Sequence, residues 1–168
     1  MNIKMKAIAI LLSLVVFSGI SMASACDTRT PGYWKNHYPE AWPASASITY
    51  SDPEVPPYTT YNWILPGGSL QGALDILNTP VRGDASINLQ QKVIAAIISI
   101  AADKITGWSY PPNFAGGPMG GATLPELIDQ SFTWLDAHPT CLPGSEGRAQ
   151  GLELASAIDY WLNLNDVG

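Results

Sequence analysis

Apolar residues recur at helical spacing through most of the second half of the chain, and this pattern predicts the scaffold. Leu70, Ala73, Leu74 and Leu77 share one face of a short helix. Thr79-Pro80 ends it, because a residue before proline avoids helical geometry. Ile87, Ile94, Ile97, Ile98, Ala101 and Ile105 mark the inner face of the strongest helix, expected over about Ala85–Ile105. Asp84 stands where its carboxylate can accept the first unpaired N–H groups of that helix, and Gly107 stops it. Thr123-Leu-Pro-Glu126 then reads as a capping box, opening a helix that buries Leu127, Ile128, Phe132 and Leu135 and stops at His138-Pro139. A last helix from about Ser145 is expected to bury Leu152, Ala155, Ile158, Trp161 and Leu162.

Helical periodicity is missing ahead of these segments. Residues 26–43 are dense in aromatics and prolines, and residues 44–69 hold Pro53, Pro56, Pro57, Pro66, Gly67 and Gly68. Only Ile48–Tyr50 and Tyr58–Trp63 have extended character, which allows one small β-hairpin over 48–63. Residues 107–122 form a second Gly/Pro loop, carrying Trp108, Tyr110 and Phe114. The expected fold is therefore mainly α, with about four helices, an aromatic and proline-rich N-terminal arm, and long loops.

The first 25 residues follow a different logic. Met1–Lys6 carries two lysines, Ala7–Ile20 is apolar or small, and Ala23-Ser24-Ala25 offers small residues for cleavage. That is the layout of a secretory signal, and the apolar stretch falls short of the roughly 20 residues of a spanning helix. Residues 26–168 are then one exported domain with no transmembrane segment. Losing residues 1–25 removes two of the 8 basic side chains and none of the 14 acidic ones, so the net charge goes from −6 to −8. Such a charge, with no basic run, argues against nucleic acid or an anionic membrane as a partner. A hydrophobic content of 46% argues equally against disorder.

Cleavage after Ala25 would leave Cys26 first, with two fates open to it. One is a disulfide with Cys141, the only other cysteine, in an oxidising compartment. The alternative is lipidation, since Ala23-Ser24-Ala25-Cys26 resembles a bacterial lipoprotein box, although Ala23 stands where Leu is usual.

Several blocks occur in a telling order: Thr28-x-Thr30-Pro-Gly-Tyr-Trp-Lys-Asn-His37, Ala41-Trp-Pro43, Leu77-Asn-Thr-Pro80 with Arg82-Gly-Asp84, and Trp134-Leu-x-x-His-Pro139. With a helix in the style of Gln91-x-Val93-Ile94-Ala95-Ala96, they resemble a domain of many exported bacterial proteins, found alone or joined to surface-anchoring and immunoglobulin-like modules. The resemblance covers nearly all of residues 26–168. That family has no established biochemical activity, so the resemblance implies export and a single domain, and carries over no catalytic residue. The 44–69 and 107–122 segments are longer and richer in aromatics here than the family pattern.

Candidate chemistry is sparse. His37 and His138 are the only histidines, and with Glu40 they have the ligand types that zinc accepts, but no short spacing fixes a site. The competing reading has each histidine satisfying a local backbone group. No cofactor is implied. Arg82-Gly83-Asp84 matches an integrin-binding tripeptide, but a turn at Gly83 and a helix cap at Asp84 account for it. Glu40, Asp52, Glu54, Asp129 and Asp136 could in principle supply paired carboxylates for hydrolysis, and nothing in the sequence singles out two of them. Aromatic excess is the most informative feature, with more than half of the fifteen aromatics after residue 25 lying before residue 64. Trp34, Trp42, Trp134 and Trp161 read as core. Tyr58, Tyr61, Trp63, Trp108 and Tyr110, in Gly/Pro-rich segments, are the candidate ligand-binding residues, since exposed rings stack on sugars or on a partner's side chains. The expected function is a non-catalytic cell-envelope module that binds a polysaccharide or a cell-surface protein. The alternatives are a structural or assembly subunit of the cell surface, or an uncharacterised hydrolase.

Overall fold

The computed structural model describes residues 29–51, 59–102 and 121–164. In chain order they form α1 (Pro31–Asn36), β1 (Ser47–Ser51), β2 (Thr60–Ile64), α2 (Leu70–Asn78), α3 (Ala85–Ala101), α4 (Leu124–Ala137) and α5 (Arg148–Leu164). The fold is mainly α with one two-stranded antiparallel sheet. The helix additional to the four expected is α1, within the aromatic arm.

Helix α3 is the centre. Every residue from Val93 to Ile100 is buried, so its C-terminal half is enclosed on all sides rather than along one stripe. It touches α1, α2, α4, α5 and β1, and with α5 it shares the Lys92–Asp159 ion pair. No helix among the described residues is long and apolar enough to cross a membrane.

Caps and stops follow the sequence closely. Ser69 accepts from the Gly72 N–H at 2.9 Å to open α2. Gln91 of α3 closes the far end of α2, its amide donating to the carbonyls of Ile76 and Thr79 at 2.9 and 2.8 Å. Helix α4 opens with the expected capping box of Thr123 and Glu126. Helix α5 begins later than expected, at Arg148. Its inner face is Leu154, Ala155, Ala157, Ile158, Trp161 and Leu162, and Leu152 is 37% exposed. Leu152 lies two positions, some 200° of helical rotation, from Leu154, outside the stripe the other residues share.

A six-residue helix such as α1 is marginal by itself, and it has no side-chain cap at Thr30. Tertiary hydrogen bonds hold it. The Trp34 indole donates to Ser99 Oγ at 3.1 Å, and the Arg29 N–H reaches the same oxygen at 3.3 Å. Ser99 in turn donates to the Ala95 carbonyl of its own helix. The Trp42 indole donates to the Trp34 carbonyl at 2.8 Å, folding the arm over α1.

The opposite end of α3 is a denser polar knot. Arg82 and Gly83 both have positive φ, 44° and 83°, and the Asp84 N–H closes the turn on the Val81 carbonyl. Asp84 is 8% exposed, and its Oδ1 accepts from Ser86 N–H at 2.9 Å and from Cys141 N–H at 3.1 Å. The Ala85 N–H donates to the Cys141 carbonyl at 2.9 Å, and Arg148 bridges the carbonyls of Gly83 and Cys141. Ser86 Oγ donates to the His138 carbonyl at 2.6 Å. With its acid inside this knot, the Arg-Gly-Asp tripeptide is a structural turn and helix cap.

Asp84→Ala removes a helix cap and strands the buried Cys141 N–H, so it should cost about 2–4 kcal/mol in urea unfolding. Asp84→Asn keeps an acceptor oxygen and should cost less than half as much in the same measurement.

Candidate functional site

Strand pairing decides the fate of the aromatics before residue 64. β1 and β2 pair antiparallel with Ile48 opposite Trp63 and Tyr50 opposite Tyr61. Alternation places all four side chains on the face toward the core, and Ser47, Thr49, Ser51, Thr60, Asn62 and Ile64 on the other. Trp63 is therefore 3% exposed, and its indole donates to Asp129 Oδ1 of α4 at 2.7 Å. The expectation that Trp63 is an exposed binding ring is corrected: it pegs the hairpin to α4. Tyr61 is half-buried, its ring stacked 5.3 Å from Trp63 and 6.3 Å from Tyr50, which lies 6.0 Å from Trp63. Tyr50 and Tyr61 are the partly exposed members of this trio. Tyr50 is not among the residues singled out from the sequence, and the two-residue alternation of Ile48-x-Tyr50 and Tyr61-x-Trp63 is the signal that pairs it with Tyr61. Tyr58, Trp108 and Tyr110 lie outside the described residues. The outward face is hydrophilic, with Thr49 Oγ1 donating to Asn62 Oδ1 at 2.9 Å and Ser51 bonded to Thr60 at 3.2 Å, beside Ile64 at 58% exposure.

The two histidines occupy equivalent positions. His37 ends α1, with its ring stacked on Tyr33 at 3.9 Å and 14°. His138 ends α4, stacked on Trp134 at 4.5 Å and 14°. In both, Nδ1 lies within 2.8–2.9 Å of the carbonyl four residues earlier. A carbonyl only accepts, so Nδ1 carries the proton in each ring and serves as a helix-end donor. Arg29 covers the Tyr33 ring with its guanidinium carbon 4.7 Å from the centroid. His37 belongs to the arm, which packs on α2 and α3, whereas His138 lies between α4 and the start of α5. Among the described residues no three His, Cys, Asp or Glu side chains converge to hold a metal, and Glu40 joins neither histidine in such a group.

Two glycines, Gly147 just before α5 and Gly151 within it, let the Trp134–His138 stack approach. A Cβ on Gly151 would overlap the Trp134 ring, and one on Gly147 would overlap His138 Nε2. The Trp134 indole completes the contact by donating to the Gly147 carbonyl at 3.1 Å.

Asp129 is committed to Trp63, and Asp52 and Glu54 lie outside the described residues. Cys141 is buried and unbridged, with its sulfur 3.8 Å from the Glu146 carbonyl, and Cys26 lies outside the described residues. Arg29 is tied to Ser99, about 21 Å along α3 from Ala85, which bonds Cys141.

Comparison of the chain with protein-family models, curated proteins and solved structures finds no match.

Two outcomes test this geometry. Gly151→Ala should destabilise by about 1–3 kcal/mol in thermal or urea unfolding, although Ala is the better helix former, because the Trp134 ring has nowhere to move. Cys141 should resist alkylation in the folded protein and take a label on unfolding without reductant, as read by intact mass. Two labels gained only after reduction would establish the Cys26–Cys141 bond instead.

Proposed function

We propose that this chain is a non-catalytic module of the cell envelope or extracellular space that binds a polysaccharide or protein partner through aromatic side chains. The observation that carries this reading is the Tyr50–Tyr61 pair. Two partly exposed rings stack on a tryptophan fixed at both its ring and its N–H, so they lose little side-chain freedom on meeting a ligand. Rigid, partly exposed aromatic surface suits sugars, whose apolar ring faces stack on such rings. Among the described residues no three His, Cys, Asp or Glu side chains gather to hold a metal, and Asp129 is engaged by the Trp63 indole.

Assembly of the cell surface is the rival reading, favoured by Ile64 at 58% exposure on the outer face of the sheet, which has two strands among the described residues.

The test is retention on insoluble polysaccharides, with Tyr61→Ala and Tyr50→Ala each expected to weaken it about 3- to 10-fold at unchanged far-UV circular dichroism. Trp63→Ala is a folding control, expected to cost about 3–5 kcal/mol of stability. Loss of retention in Trp63→Ala alone, or concentration-dependent oligomers without retention, would replace this reading with the assembly one.

A further inference from the structure

A groove of about 300 Å³ opens on the side of α4, lined by Gln130, Thr133, Trp134, Ala137 and His138 with Gln150 of α5. It lies at the small end of the roughly 300–1,000 Å³ typical of ligand sites. Its floor and rim differ in kind. The floor is the Trp134–His138 stack, held by the indole bond to Gly147 and by the bare backbone at Gly147 and Gly151. The rim consists of two primary amides, Gln130 and Gln150, and the Thr133 hydroxyl, which donates to the Asp129 carbonyl and so turns lone pairs outward as an acceptor. In a chain of net charge −6, none of the six lining residues is an acid, a lysine or an arginine.

From this chemistry we propose that the groove is a binding site for a single neutral, hydroxyl-rich ring, a monosaccharide unit. Amides and a hydroxyl supply both donors and acceptors at neutral charge, which matches sugar hydroxyls and offers nothing to a phosphate or a carboxylate. The apolar edge of Trp134 and the Ala137 methyl face the ring's C–H surface. The prearranged floor keeps the ordering cost low, and the openness of the groove limits affinity to a dissociation constant on the order of 1 mM. This site is separate from the Tyr50–Tyr61 patch and does not rest on it.

The experiment is a two-dimensional ¹H–¹⁵N titration of the full folded domain with glucose and, separately, N-acetylglucosamine, up to about 50-fold above that constant. The reporters are the Trp134 indole N–H and the side-chain amides of Gln130 and Gln150. Saturable shifts at these groups, with the Trp63 indole unmoved, are expected. Ala137 is exposed on a helix, so Ala137→Arg fills the groove without disturbing the core and should abolish the shifts while the rest of the spectrum is retained. No saturable shift with either sugar, or shifts that persist in Ala137→Arg, would overturn the proposal. Failure here leaves polysaccharide retention through Tyr61 untouched, and failure of that retention leaves this titration untouched.

Discussion

One carboxylate decides whether the two halves of this fold meet. Asp84 accepts from the first turn of α3 and from the backbone of Cys141, 57 positions away. The reciprocal bond from Ala85 to the Cys141 carbonyl and the Arg148 bridge leave the connection between α4 and α5 little freedom to shift. A polar side chain at 8% exposure is costly unless donors face it, and backbone N–H groups at a helix start are such donors. Position of α5, and with it the glycine face beneath Trp134, follows from that knot.

Tryptophan has a consistent role in the rest of the structure. Trp34, Trp42, Trp63 and Trp134 are all buried, and each indole N–H finds an internal acceptor: Ser99, the Trp34 carbonyl, Asp129 and the Gly147 carbonyl. A large ring with a single donor makes a peg whose orientation is set by one bond. Three pegs fasten pieces with little intrinsic stability: a six-residue helix, the segment after it, and a two-stranded hairpin. Much of the aromatic excess is thus structural, and the rings left partly open sit on a rigid base.

How much of this was legible depended on whether the signal was local. The α2 and α4 starts, the Asp84 cap and the hairpin location follow from short-range chemistry, and all were readable. Trp63 was misplaced because prolines and glycines around residues 44–69 suggested surface loop. Its burial depends on β1 pairing in one register and on Asp129, 66 positions away, neither of which composition encodes. Leu152 failed for a smaller reason: the helix phase is set where Gly147, at φ 74°, releases the chain into α5. The groove was invisible because it needs α4 and α5 side by side.

Burial of the C-terminal half of α3 on every side has a cost in time rather than in energy. Its neighbours come from both ends of the chain, and its closest packing is with α5, the last helix formed. In a chain synthesised from its N-terminus, the apolar run Val93–Ile100 emerges well before the helix that covers it. Native contacts of such sequence separation form late and slowly. Until the C-terminal residues arrive, the most hydrophobic segment of the fold is an open surface for a chaperone or for another nascent chain.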